Sequence, residues 1–346
     1  MFNKNLKYYR LKNNLSKKAL ASLCGVSSML ITYYENGERK PTMENMKKLA
    51  AALGVRVSDF LAVRNDNLAF SHGEFRKTTA LNQAQQEFVR ESVEEHFSRF
   101  YSVVEILGGD VLPNAPVCHV LSITHDAEID SAALRKHLNL SNEGPIDDLI
   151  GILENKGILV LSLDLDNDKF SGMNGLVDGR PYIVVNKNMT TERNRSTIVH
   201  ELAHLMYIWP DDMDDSAIEK YATAISGAFL FPKTDVIREL GIRRRAITGD
   251  MLLVCKEYGI SLQLLVVRAK LANVISEPVC KDFFIQINKY GWRKNEPTRI
   301  TPEKPQLFEQ LVYRAVNEQE ISVQRGAELL RLPYHYVAEQ CFFSEE

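Results

Sequence analysis

The stretch Val199-His200-Glu201-Leu202-Ala203-His204-Leu205 decides how this chain is read. On a helix, residues i and i+4 stand on one face about one turn apart, so the imidazoles of His200 and His204 can reach a single ion. Glu201, one position on from His200, projects toward the open side of that ion without having to bind it. Zinc held in such a place lowers the pKa of its water to about 7, and a neighbouring carboxylate can take the proton. The pattern predicts Zn2+ as cofactor, His200 and His204 as ligands and Glu201 as the general base. Ile198, Val199, Leu202, Leu205 and Met206 are expected to bury the rest of the helix, and no proline interrupts it before Pro210. Zinc needs a third protein ligand. Glu219, fifteen residues past His204, is the expected one. Thr223, four residues further on, shares its helical face and can buttress a ligand histidine. Asp211, Asp212, Asp214 and Asp215 compete for the same role, although that run also reads as a solvated loop and an acidic helix start.

Working outward, Ile158-Leu159-Val160-Leu161 and Tyr182-Ile183-Val184-Val185-Asn186 read as strands. The glycine-containing Ser171-Gly172-Met173-Asn174-Gly175 lies between them. Tyr182–Val185 suits an edge strand that aligns a substrate backbone by β-addition, and equally an internal core strand. Helical periodicity covers about 190–208, 216–230, 234–240, 247–257 and 261–273. Phe283–Ile287 reads as a strand followed by a turn at Tyr290-Gly291, and helices resume at about 305–318 and 322–331. Upstream, residues 126–156 read as two helices, with Pro145 in a first turn and Gly157 at a stop. A long helix runs from about Asn82 to Leu107, with Phe88, Val89, Val93, Phe97, Phe100, Val103 and Val104 on one side. Tyr207, Tyr221 and Tyr290 are candidates by residue type for stabilising an oxyanion.

The other informative stretch is Ser16 to Pro41. Two short helices separated by a glycine-containing turn pack steeply only if the inner positions are small and apolar, and Ala21, Val26 and Ile31 supply those. Gly25 permits a left-handed turn residue, and Ser27 can cap the second helix. The start of that second helix is then free to enter a major groove. Residues 1–61 hold eleven Lys/Arg against four Asp/Glu, whereas the remainder holds 31 against 41, so a net charge of −3 conceals a basic head on an acidic body. Such a head fits a polyanionic partner or a merely solvated face. Glu35-Asn36-Gly37, Pro41 and Leu49-Ala50-Ala51-Ala52-Leu53-Gly54-Val55 complete a pattern that resembles the phage-repressor (XRE-type) helix-turn-helix family. The resemblance implies that Lys17, Ser28, Met29 and Thr32 face bases and that Tyr33, Arg39 and Lys40 lie near phosphates. A dimerisation or docking module that has kept this fold is the other reading. Ser28 and Met29 are poor bidentate base readers.

The metal-site stretch carries a second resemblance. Pro181–Asn186, Arg193-Asn194-Arg195 through His204, Glu219, Leu230-Phe231-Pro232, Tyr258-Gly259-Ile260-Ser261 and Arg268 look like the ImmA/IrrE family of metallopeptidases, over about residues 125–335. Thr223 stands where that family usually has Asn or Asp, and Ala203 where it usually has Gly. The family implies a zinc peptidase that cuts transcriptional repressors, often fused or adjacent to phage-repressor-type domains.

The expectation is therefore an α+β, mostly helical chain. It comprises a helix-turn-helix head (1–62), a linker (63–81), a connecting helix (82–124), a zincin-like metallopeptidase domain with a small sheet (125–278) and a C-terminal strand/helical subdomain (279–346). The expected partners are duplex DNA, a protein substrate of the repressor or antitoxin-like class, and a second copy of the chain as a homodimer. The alternative is a non-proteolytic regulator or antitoxin whose peptidase-like domain senses a ligand, metal or partner. Five scattered cysteines without a Cys-x-x-Cys pair, a polar N-terminus without an apolar core segment and no apolar run near the roughly 18 residues of a span predict a cytoplasmic protein away from membranes.

Overall fold

The structure, a computed structural model, describes residues 1–73, 81–292 and 295–341. The chain divides into two compact units, one formed by Met1–Phe70, Phe75–Val111 and Phe308–Glu346, the other by Ser71–Glu74 and Leu112–Leu307.

The first unit opens with α1 (Phe2–Lys12), α2 (Lys17–Cys24), α3 (Ser28–Asn36), α4 (Met43–Leu53) and α5 (Val57–Phe60). Side-chain hydroxyls of Ser16, Ser27 and Thr42 accept the otherwise orphaned amides of Ala19, Leu30 and Asn45, which fixes where three of these helices start. Leu6, Leu20, Ala21, Ile31, Leu49, Leu53 and Phe60 form their core. Leu23 and Leu61, apolar residues of the same stretch, face solvent. Arg10 and Glu35, both buried, pair through two hydrogen bonds of 2.5 and 3.0 Å and lock α1 to the end of α3.

The stretch expected as a linker is partly structured. Arg64 is buried and donates to Asn5 Oδ1 at 2.7 Å, and Phe70–His72 forms a strand, β1. Residues 74–80 of that stretch lie outside the described residues. The long helix α6 (Gln83–Ile106) starts at a reciprocal cap between Asn82 and Gln85 and buries Val89, Val93, Phe97, Phe100, Val103 and Val104.

The second unit contains β2 (Leu121–Ser122), α7 (Ala127–His137), α8 (Leu149–Asn155), β3 (Leu159–Leu163), β4 (Gly172–Val177), β5 (Arg180–Asn186), α9 (Thr191–Met206), β6 (Tyr207–Ile208), α10 (Asp215–Leu230), α11 (Lys233–Leu240), α12 (Met251–Tyr258), α13 (Leu262–Leu271) and α14 (Glu277–Lys289). Pro145 precedes α8 rather than opening it, since Asp148 is the cap. The four-stranded sheet has the order β1-β4-β5-β3, with β5 parallel to β3 and antiparallel to β4. Tyr182–Val185 is therefore internal, not an edge. All four residues are buried, as suits a strand paired on both sides.

The Ser171–Gly175 stretch is the start of a strand. β4 lies so close to α9 that a Cβ on Gly172 would stand 2.6 Å from Thr197 Cγ2 and 2.6 Å from Val184 O. Glycine there is a requirement of that approach, and it conceals the strand from propensity.

The expected strand at Phe283–Ile287 is helix α14. Pro278 sits in its first turn, and Cys280, Phe283 and Ile287 are buried at helical spacing while Ile285 is 67% exposed. A run of apolar residues does not by itself distinguish the two periods. α14 belongs to the core of the second unit. The remaining helices, α15 (Leu307–Asn317), α16 (Val323–Leu330) and α17 (Tyr334–Cys341), return to the first unit, so residues 279–346 do not form one subdomain. Arg331, the left-handed cap of α16, donates to Tyr8, Tyr9 and Glu95 at 2.8, 3.1 and 2.6 Å, and ties α16 to α1 and α6. Burial opposes ionisation of Glu95, but the guanidiniums of Arg99 and Arg331 outweigh it and hold the carboxyl down at about 2.

Candidate functional site

Helix α9 is capped by Thr190, whose hydroxyl accepts the Arg193 amide. Ile198, Val199, Leu202, Ala203, Leu205 and Met206 are buried, so the helix is embedded in the core on most of its circumference. That leaves the His200–His204 face toward α10. His204 Nε2 lies 3.1 Å from His200 Nε2, and Glu219 Oε2 and Oε1 lie 3.4 Å from His200 Nε2 and 3.3 Å from His204 Nε2. These three side chains form the one group of potential metal ligands found among the described residues.

Donor spacing tests whether an ion fits. Ligands about 2.0–2.1 Å from a tetrahedral zinc stand about 3.3–3.4 Å apart, close to the separations seen. The donor set, two imidazoles and one carboxylate, leaves a fourth position for solvent or substrate. Thr223 Oγ1 donates to Glu219 O at 2.9 Å and lies 3.2 Å from His200 Nδ1. With its proton given to that carbonyl, the hydroxyl accepts Nδ1–H, which leaves the Nε2 lone pair of His200 facing the cluster.

Glu201 is outside the ligand group and is 3% exposed. Asn174 on β4 donates from Nδ2 to Glu201 Oε2 at 2.8 Å. The carboxylate is held by the sheet and stands one residue along the chain from His200. The Trp209 ring packs on His204, with centroids 5.5 Å apart. Neither Asn174 nor Trp209 was legible as a site residue, because each reaches the site only through the packing of β4 and of the segment after α9.

The acidic run lies elsewhere. Asp214 caps α10 through the Ala217 amide, Asp215 opens its first turn, and Asp211 and Asp212 are exposed. Two of the three candidate tyrosines are committed. Tyr221 donates to Asp130 Oδ2 at 2.6 Å and Tyr207 donates to Asp130 O, and burial raises both phenols. Tyr290 stacks on Trp292 at the end of α14.

In the head, Ser28 and Met29 are exposed at the start of α3, Met29 by 64%. Thr32 is half-buried and bonds back to Ser28 O at 3.2 Å. Lys17 opens α2 and lies 3.6 Å from Glu35. Arg39 covers the Tyr33 ring at 4.9 Å, and Arg39 and Lys40 are both exposed. Of the side chains expected to meet bases and phosphates, Lys17 lies on α2, Ser28 and Met29 at the exposed start of α3, Thr32 and Tyr33 half-buried in its middle, and Arg39 and Lys40 just past its end.

Comparison with known proteins agrees with both halves of this description. A helix-turn-helix family matches residues 6–60. An IrrE N-terminal-like domain matches residues 153–270, which run from the end of α8 into α13 and include His200, His204 and Glu219. An uncharacterized HTH-type transcriptional regulator of Methanocaldococcus jannaschii is 38% identical over 61 residues, 18% of this chain and 92% of that protein. The chain belongs to the helix-turn-helix family through its head and joins that head to an IrrE N-terminal-like domain of the ImmA/IrrE peptidase type.

Proposed function

We propose that the chain is a zinc-dependent endopeptidase carried behind a DNA-binding head, and that it cleaves a repressor or antitoxin-like protein to release gene expression. The observation that supports this most is the pairing of an open two-histidine, one-carboxylate donor set with a separate carboxylate beside it. A site that only stored or sensed metal does not call for Glu201.

Zinc in this donor set would polarise a peptide carbonyl and make water nucleophilic near neutral pH. His200, His204 and Glu219 would hold the ion, and Thr223 would keep His200 in the tautomer that ligates it. Glu201 takes the proton of the attacking water and later delivers it to the departing amine nitrogen. Asn174, bonded to Oε2, fixes the plane of that carboxylate. The head binds duplex DNA through α2 and α3, with Lys17, Ser28, Met29 and Thr32 toward bases and Tyr33, Arg39 and Lys40 toward phosphates. A homodimer would place two heads on a two-fold operator. The cysteines described are all free thiols, in keeping with a reducing cytoplasm. No described helix is long and apolar enough to cross a membrane.

The test is capture of the substrate. A Glu201→Gln chain should retain its protein partner long enough to be purified with it, and the wild-type chain should cut that partner. Absence of any partner that only the wild type cleaves would leave the peptidase reading without support.

A further inference from the structure

A peptidase that accepts protein chains grips them chiefly by their backbone, and an open strand edge supplies the matching donors and acceptors. In the second unit the edge nearest Glu201 is that of β4. Asn174 of β4 donates its side-chain amide to Glu201, and a Cβ on Gly172 of β4 would stand 3.7 Å from Glu201 Cγ. The opposite edge of the sheet belongs to β3, two strands away.

The β4 edge is already taken. β1 lies along it. The Gly73 amide donates to Asn174 O at 2.8 Å, and His72 Nδ1 meets the Tyr182 hydroxyl at 2.6 Å. A Cβ on Gly175 would stand 2.5 Å from Ser71 O, and one on Gly73 would stand 2.7 Å from Asn174 O. The two backbones are therefore in close approach at glycines on both sides. A single residue, Asn174, carries the segment on its carbonyl and the general base on its side chain.

We propose that Ser71-His72-Gly73 is a built-in competitor: it occupies the strand edge that an extended polypeptide substrate must use, and the site admits substrate only when this segment leaves β4. The inference rests on the metallopeptidase reading and adds to it the substrate's binding edge and what covers it. The occupant is a short extended stretch of the same chain, drawn from the sequence that joins the head to the IrrE-like domain.

Two variants weaken the docking while leaving the metal ligands and Glu201 unsubstituted. Gly73→Val puts a side chain against Asn174 O, and His72→Ala removes the bond to Tyr182. Full-length wild type and both variants, loaded with zinc, would be titrated with acetohydroxamate, which needs the metal alone, and with a fluorescein-tagged tetrapeptide hydroxamate, which needs the metal and a strand edge. Acetohydroxamate should bind all three alike. The peptide hydroxamate should bind the variants about tenfold more tightly than wild type, roughly the worth of a docking hydrogen bond. In wild type its binding should also speed hydrogen exchange of the Gly73 amide. Equal peptide-hydroxamate affinity in all three proteins, with Gly73 protection unchanged on binding, would show that β1 is a permanent part of the sheet and overturn the inference while leaving the metal centre intact. Failure of acetohydroxamate to bind any of them would remove the metal centre, and the inference with it.

Discussion

Glu201→Gln separates chemistry from architecture. Glutamine keeps the shape of the side chain and one oxygen. Asn174, by turning its amide, can still bond to it across the 2.8 Å now spanned to Oε2. Glu201 is outside the three-residue group proposed to hold zinc, so zinc content should stay at the wild-type level. The expected change in stability is within about 1 kcal/mol, because no buried polar atom is left unpaired. Only the ability to accept a proton is lost. General-base catalysis contributes about 10² to 10⁴ in rate, or about 3–5 kcal/mol of barrier. The assay follows cleavage of the captured partner over time at matched zinc occupancy, beside thermal melts and elemental analysis. Full cleavage by Glu201→Gln would refute the assignment of roles. So would loss of zinc as complete as that caused by changing a ligand.

Other substitutions bear on the same account. Glu219→Gln should lower zinc affinity by at least tenfold in a competition titration with a chelating dye, because a neutral amide is a poorer ligand than a carboxylate; Asp211→Asn, on the exposed run, should leave the same titration unchanged. Burial raises Glu154 to about 7, against the pull of the Gln306 and Leu307 amides on its carboxylate. The folded state then binds more protons than the unfolded one between about pH 4.5 and 7, so stability falls as pH rises through that window, by at most about 3 kcal/mol. Glu154→Gln should flatten this slope in thermal melts from pH 5 to 8 and be more stable than wild type at pH 8, and a wild type that gained stability across the window would contradict the argument. The head should bind duplex DNA with a steep salt dependence, and Arg39→Ala should weaken all sequences alike while reducing the slope of log affinity against log salt by about one. Gel-shift titrations at several salt concentrations read both.

Much of the fold is written in local pattern. The caps Ser16, Ser27, Thr42 and Asn82 lie where helices begin, and the stripe from Val89 to Val104 marks α6, because caps and periodicity are properties of adjacent residues. The convergence of His200, His204 and Glu219 has the same origin on α9 and needs one further fact, that α10 packs back on α9. What escaped depends on which distant segments meet. Tyr182–Val185 has the same composition whether it is an edge or a centre, and only pairing with both β3 and β4 decides. Gly172 and Gly175 conceal β4 because close approach to neighbouring elements displaces the side chains that strand propensity counts. Asn174 becomes a site residue only through that hidden strand. Phe283–Ile287 misleads for the opposite reason, since consecutive apolar residues satisfy a strand and one side of a helix equally.

The central claim is that His200, His204 and Glu219 hold one zinc at an open site served by Glu201. Elemental analysis of the purified full-length chain, after removal of loosely bound metal and re-addition of zinc, tests it most directly. The account predicts about one zinc per chain in wild type and in Glu201→Gln, and close to none in His204→Ala, since two remaining ligands do not hold the ion in a tetrahedral site. A wild-type chain that stays metal-free after zinc is added, or a His204→Ala chain that retains a full equivalent, would contradict it.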